Sequence, residues 1–309
     1  MRRVVVRVAL AVVAVSAIGT LWLYDRITAL EVEQITGDVH VLFGAGGNVG
    51  VLATGAGAVI VDTLTFRSQG VRVRERAEEL GRGPVQAVLN THYHQDHTHG
   101  NLGFAAGTRI VAAARTLDYL RHFDAAYWEE GAEEMLPNEL VSDVHELSIG
   151  SKTVRSFHLG RGHTGGDLVV LFVEDRVLHS GDLLFNGLYP LVDLEGGGSL
   201  AAWIETLDRV LELDFDHVIP GHGPVAGREA IEGFQRFLLE VWRVGQAAAA
   251  QGLSLDEMLA GASLTSDAGY APGGLPPFVV FERDDVLRQA WEEATGSVVA
   301  LDVPTTEAP

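Results

Sequence analysis

The chain has 309 residues, 47% of them hydrophobic, which is enough for one large domain with a full core. A formal net charge of -20 and a single lysine, Lys152, argue against a nucleic-acid partner, because phosphate binding needs clustered cations. The same scarcity argues against a polyanionic thioester substrate, and the absence of cysteine fits an export route without defining a redox compartment.

Arg2 and Arg3 precede an apolar stretch from Val8 to Tyr24, with Arg7 just ahead of it and Asp25 and Arg26 after it. The stretch sits at the short limit for a membrane span, roughly 17 residues, and exceeds the usual signal-peptide core of about 7 to 15. Residues 1–29 are therefore expected to form a hydrophobic signal-anchor helix with a short linker. The positive start puts the N-terminus inside and the catalytic domain outside the cytoplasmic membrane. Secretion after cleavage near Ala14–Val15–Ser16 is the alternative.

Strand-like runs at Val39 to Phe43, Val49 to Thr54 and Ala58 to Asp62 alternate with glycine-rich turns, and a helical stretch near Arg67 to Leu80 follows. The loop Gly44 to Asn48 is not followed by a helix, so it does not match a phosphate-binding fingerprint. Asp62, at a strand end, either orients a metal-bound histidine through its second nitrogen or caps a turn. Val85 to Asn90 reads as a short buried strand leading into Thr91-His-Tyr-His-Gln-Asp-His97. His92 and His94 would share a face if the strand continued, while Asp96 and His97 fall in the next turn and could serve a second metal.

Arg115 to Pro137 carries Tyr119, Leu120, Phe123, Tyr127 and Trp128 at near-helical spacing, expected to pack on the core and able to roof a cleft. Gly162-His-Thr164 comes next. Leu168 to Val173 and Arg176 to His179 look like a hairpin that delivers Asp182 at its end. Phe185 to Pro190 would then lie beside the metals, with Asn186 and Tyr189 as polar substrate contacts, joined by Asn48 from the earlier loop. Ser199 is a plausible N-cap for a helix through Leu211, and Val218 to Pro220 forms a short strand carrying His222. A helix with Phe234, Phe237, Leu238 and Val241 on one face begins near Ile231. From Gly252 come two short helices, a Pro- and Gly-rich link at Ala271 to Pro277, and a frayed tail from Val303 to Pro309. The expected organisation is a catalytic domain over 30–225 and a helical extension over 226–309 packed on it.

His92, His94, Asp96, His97, His163, Asp182 and His222 thus fall in four clusters, and zinc takes such nitrogen and oxygen donors, usually three per catalytic ion with one position open. Three histidines and one aspartate within six residues is rare outside metal sites.

In order and type these residues resemble the metallo-β-lactamase superfamily, whose His-x-His-x-Asp-His run is followed by a histidine, a bridging aspartate and a final histidine. The resemblance covers roughly residues 31 to 225. It implies an α/β fold, an αββα sandwich of two mixed β-sheets flanked by helices, with the metals at one edge between the sheets. It further implies that His92, His94 and His163 hold one zinc, that Asp96, His97 and His222 hold the other, and that Asp182 bridges both. The loop Gly44 to Asn48 resembles the family hairpin that overhangs the site. His99 stands where relatives often carry glycine and is expected at the rim or behind a ligand. A chain without cysteine and with a bridging aspartate looks nearer the glyoxalase-II-like and lactonase-like hydrolases than the lactamases. His94 replaces the glutamate of the di-iron branch, so the expected cofactors are two Zn2+, with iron as the other candidate.

The expected reaction is hydrolysis of an ester, lactone, thioester or amide in a small molecule by a hydroxide shared between the ions, with Asp96 and Asp182 holding it. The alternatives are a mononuclear iron thiol or persulfide dioxygenase on His92, His94 and His163, a β-lactamase, and a non-enzymatic, membrane-tethered metal-binding accessory protein. The scaffold alone names no substrate.

Overall fold

Valine-rich runs between glycine turns become strands here because branched side chains pack well on a pleated surface. In the computed structural model, which describes Gly19, residues 24–275 and residues 279–306, seven of them form one sheet in chain order. These are β1 (Glu31–Gln34), β2 (Val39–Phe43), β3 (Asn48–Ala53), β4 (Ala58–Val61), β5 (Val85–Leu89), β6 (Ile110–Ala113) and β7 (Glu139–Val141). Neighbours are antiparallel up to β4 and parallel from β4 to β7.

The second sheet has the order β12-β11-β10-β9-β8, built from β8 (Val144–Ile149), β9 (Lys152–Phe157), β10 (Val169–Phe172), β11 (Val177–Phe185) and β12 (His217–His222). Only β11 and β12 run parallel. Leu52, Val61 and Leu89 from the first sheet meet Val154, Val170 and Phe172 from the second in a fully buried layer. Helix α1 (Arg67–Gly81) covers the outer face of the first sheet through Val73 and Ala77. The outer face of the second is covered by α2 (Leu200–Leu211), α3 (Arg228–Gln251) and α4 (Arg283–Thr295). The molecule is therefore an αββα sandwich. Ser199 caps α2 by accepting a hydrogen bond from the Ala202 amide at 3.1 Å.

The apolar stretch expected as an anchor, Val8 to Tyr24, lies outside the described residues except for Gly19 and Tyr24. Among the described residues no helix is long and apolar enough to cross a membrane.

Two expectations about the C-terminal region change. The Pro- and Gly-rich link is not a plain connection: Gly273–Leu275 and Val279–Phe281 pair antiparallel as the strands of a small hairpin, β13 and β14. The tail is not frayed through Thr306. Val303 is 3% exposed, Arg115 donates to its carbonyl at 2.6 Å, and the Thr306 amide donates to Asp118 Oδ1 at 2.9 Å. An arginine and an aspartate distant in sequence supply the partners that a tail would otherwise take from water.

Helix α1 also sets the position of the histidine cluster. A Cβ at Gly70 would stand 1.9 Å from the Gly100 carbonyl oxygen, so glycine is required for the helix to approach the segment after His97. Gly70→Ala is expected to lower stability by about 1–3 kcal/mol through backbone displacement, read as a lower denaturation midpoint. An unchanged midpoint would show that this contact does not constrain the loop.

Candidate metal centre

Four segments reach one edge of the sandwich. The chain leaves β5 through Asn90, Thr91 and His92, turns at His94, and makes a single helical turn, Gln95–Thr98, that carries Asp96 and His97. Buried amides hold this loop in place. Asn90 Nδ2 and Thr63 Oγ1 each donate to the His97 carbonyl at 3.1 Å, and Asn101 Nδ2 donates to Asn90 Oδ1 at 2.9 Å. Contrary to the expected hairpin end, Asp182 lies within β11, which continues to Phe185. Its pairing with β12 shifts register on both sides of Gly181, and such an irregularity re-aims the side chains that follow. His222 ends β12. A Cβ at Gly221 would lie 1.8 Å from Asp182 Oδ1, so only glycine can precede His222 there.

The seven predicted donors come together. His94 Nδ1 is 2.8 Å from His163 Nε2, and Asp182 Oδ2 is 3.4 Å from His163 Nε2 and 3.9 Å from His92 Nε2. On the other side, His97 Nε2 lies 3.2 Å from Asp182 Oδ1, and His222 Nε2 lies 3.3 Å from both Asp96 Oδ2 and Asp182 Oδ2. His92, His94 and His163 form one group with donor atoms within 4.8 Å of one another; Asp96, His97 and His222 form another, and His92, His97 and Asp182 link them.

Outer hydrogen bonds decide which nitrogen of each imidazole faces inward. His97 Nδ1 donates to Asp62 Oδ2 and His163 Nδ1 to the Leu191 carbonyl, both at 2.8 Å, while His94 Nε2 donates to Asp193 Oδ2 at 3.2 Å. Thr91 Oγ1 gives its proton to Asp62 Oδ2 at 2.8 Å, leaving a lone pair for His92 Nδ1–H at 3.1 Å. The remaining nitrogens therefore face inward, the ring orientation that metal binding needs.

These residues fit a metal ion. His92 Nε2, His97 Nε2 and Asp182 Oδ1 are buried without a hydrogen-bond partner, although buried polar atoms are nearly always paired. His97 Nε2 and Asp182 Oδ1 are close but not aligned, so neither satisfies the other. A cation between the two groups would pair all three atoms.

The electrostatics divide the centre. Burial depresses the His92 imidazole well below its ordinary range, helped by His97. It takes His163 down to about 4 against the pull of Asp182. Burial also opposes charge on His97 and His222, but Asp182 and Asp96 overcome it. They hold His97 well above its usual range and His222 up to about 10. Burial would raise the Asp182 carboxyl, yet His222, His97, His92 and His163 keep it well below the normal carboxylate range.

Of the two roles expected of it, Asp62 stands behind His97, and its hydrogen bonds go to the distant Thr91 and His97 rather than to a turn of its own. Besides His97 it accepts the Thr91 amide at 2.8 Å, and it does so from a left-handed backbone conformation with φ 66°, a strained state of the kind concentrated at functional sites.

The predicted substrate contacts are placed otherwise. Asn48 is buried and spends its amide on the carbonyls of Pro220 at 2.9 Å and Gly223 at 2.8 Å, fixing the loop around His222. Asn186 donates to the Pro224 carbonyl at 2.8 Å, and Tyr189 donates to Asp267 Oδ2 at 2.9 Å. Backbone carbonyls beside the site need donors, and the two asparagines supply them, while Tyr189 is taken by a carboxylate. His99 is not at the rim: at 6% exposure it stacks on Tyr127 with ring centroids 3.4 Å apart and contacts Asp124 Oδ2 at 2.5 Å.

Asp193 was missed. Besides His94 it accepts from Tyr93 Oη and, at 2.9 Å, from the Gly196 amide, while burial is outweighed by His94, which holds its carboxyl well below the ordinary range. Its sequence context, an aspartate ahead of three glycines, reads only as a turn.

The centre opens into a cavity of about 390 Å³. Beside the donors it is lined by Tyr93, Phe123, Asp124, Phe185 and Leu191 together with Gly274, Val279 and Phe281 of the C-terminal hairpin. Core packing and a place in the cleft thus divide within the aromatic insertion: Tyr119 and Trp128 are buried, and Phe123 faces the cavity.

A family model described as Metallo-beta-lactamase superfamily matches residues 42–222. A linear primary-alkylsulfatase from a Pseudomonas species is 25% identical over 272 residues, covering 70% of this chain and 50% of its own. The chain thus spans about half the length of that relative. A metallo-beta-lactamase type 2 from Bacillus cereus is 26% identical over 181 residues, 58% of this chain and 67% of that protein. Among solved structures, a stereoselective inverting sec-alkylsulfatase from a Pseudomonas species has a TM-score of 0.65 at 15% identity, covering 86% of this chain and 50% of that one, a likeness of fold.

Asp193→Asn keeps the side-chain shape and removes the charge facing His94. It is expected to weaken metal affinity by about 10–100-fold with little change in unfolding midpoint, read by chelator competition. Equal affinity would show that Asp193 does not orient His94.

Proposed function

The chain belongs to the metallo-β-lactamase superfamily, and from that premise we propose that it is a binuclear zinc hydrolase cleaving an ester, lactone, thioester or amide bond in a small molecule. The supporting observation is the set of unpaired buried atoms, His92 Nε2, His97 Nε2 and Asp182 Oδ1, directed between two groups of donors. His92, His94 and His163 would hold one ion and Asp96, His97 and His222 the other, with Asp182 reaching both. Two zinc ions supply a nucleophile at neutral pH by lowering the pKa of water, and polarise the scissile carbonyl.

The chain's own groups do the rest. Asp182 presents Oδ1 toward His97 and Oδ2 toward His163 and His222, so one carboxylate fixes the spacing of both groups. Asp96, partly exposed at the cavity, would accept a hydrogen bond from the attacking water and hold it in line. No serine lines the cavity among the described residues and the chain has no cysteine, which favours water as the nucleophile. Arg2, Arg3 and the apolar stretch from Val8 to Tyr24 support a domain tethered outside the cytoplasmic membrane.

Elemental analysis of the purified chain is expected to find about two zinc ions per chain, and Asp182→Ala is expected to lower hydrolysis by about a hundredfold or more. One iron per chain, with oxygen consumed on thiol substrates, would overturn this reading in favour of a dioxygenase.

The protons held by His97 and His222 must leave before an ion binds there, whereas the depressed His92 and His163 bear no such proton. As pH falls, the Asp96, His97 and His222 group should lose its ion first. Dialysis at about pH 5.5 is expected to leave about one ion per chain. Simultaneous loss of both would contradict the assigned difference.

A further inference from the structure

The cavity wall beyond the ligand residues carries a character that the metal ligands do not explain. Away from the ligand cluster, the only charged side chain lining it among the described residues is Asp124, and no lysine or arginine is present. Its remaining surface is largely aromatic and aliphatic. Part of this wall comes from a region outside the matched 42–222, the hairpin of β13 and β14.

That hairpin is anchored at its base and apolar toward its tip. The Ala271 amide donates to the Gly187 carbonyl at 2.9 Å, and the Tyr189 amide donates to the Ala271 carbonyl at 3.0 Å, joining it to the segment that follows Asp182. Val279 and Val280, by contrast, stay 49% and 41% exposed, and Phe281 lines the cavity beside Val279. Of these, Val279 and Phe281 line the cavity, and apolar side chains lining a pocket suit an apolar ligand.

We propose that the C-terminal hairpin is the substrate-selecting wall of the cleft, and that it takes an uncharged, apolar chain or ring attached to the scissile bond while rejecting substrates with an anionic far end. The proposal rests on the hydrolase reading and names the substrate class for it. An apolar chain gains from leaving water against Phe281, Val279 and Phe123. A carboxylate or sulfate at the same depth finds no lysine or arginine in the lining and meets the like charge of Asp124, which lines the cavity while its Oδ2 accepts from His99 at 2.5 Å and the Trp128 indole at 3.2 Å behind it.

The test is calorimetric titration of the metal-loaded full chain with methyl heptyl ketone, which has no bond to hydrolyse and so reads the wall separately from turnover. Phe281→Asp and Val279→Asp are each expected to weaken ketone binding by about tenfold or more, and Phe281→Leu to stay within about threefold. Val279 is half-exposed, so its variant keeps the test valid if the Phe281 substitution disturbs the hairpin. The same ketone with its terminal methyl replaced by a carboxylate is expected to bind about tenfold more weakly, a gap that Asp124→Asn narrows. Unchanged ketone affinity in both aspartate variants, or a carboxylated ketone that binds as tightly as the neutral one, would overturn the proposal. Ketone binding that responds as expected in a chain that hydrolyses no ester, lactone, thioester or amide would overturn the hydrolase reading and leave the apolar wall standing.

Discussion

The buried carboxylate of Asp182 is the constraint on which the rest of the molecule depends. Without compensation, a charge taken out of water costs several kcal/mol. Here imidazoles from three separate loops surround it, and each touches it only because its own backbone has been fixed elsewhere. Behind them stands a second layer: Asp62 behind His97, Asp193 behind His94, the Leu191 carbonyl behind His163, and Thr91 behind His92. Along Asp182, His97 and Asp62, carboxylate, imidazole and carboxylate alternate outward, so charges of one sign are kept apart, and the outer hydrogen bonds orient the rings of His92, His94, His97 and His163.

The architecture serves that arrangement. Strands buried on both faces cannot shift without exposing apolar side chains, so their ends are the most precisely placed points in the chain. His222 sits at such an end and Asp182 at a register irregularity within β11, while His92, His94, Asp96, His97 and His163 lie on the loops that leave the strands. Small residues let the layers close, as where α1 meets Gly100 and where Gly221 gives room to Asp182. The C-terminal region then contributes α3 and α4 to the outer layer and its hairpin to the cleft, so one segment both covers the second sheet and shapes the substrate pocket.

Polar residues near the centre illustrate how type and direction part company. Asn48, Asn186 and Tyr189 have the chemistry of substrate contacts and lie in the right segments, yet their donors go to Pro220, Gly223, Pro224 and Asp267. A loop that carries a metal ligand has carbonyls that cannot all reach water, and the nearest side-chain amides are taken to satisfy them. Tyr189 and His99 are taken instead by the carboxylates of Asp267 and Asp124.

Much of the fold and the inner donor set was legible in the sequence. Strands and helices followed from apolar periodicity and glycine turns, the cap of α2 from Ser199, and the donors from residue type and spacing, because these are local properties that a short segment carries with it. The outer layer was not legible. Asp193 lies about a hundred residues from His94, and nothing local marks it as a partner. The docking of Val303 on Arg115 and the arrival of Val279 and Phe281 at the cavity likewise depend on distant segments meeting. Which atoms coordinate, which hydrogen bonds orient them and which surface faces the substrate were decided only when the layers packed, since direction in space is a property of the whole chain.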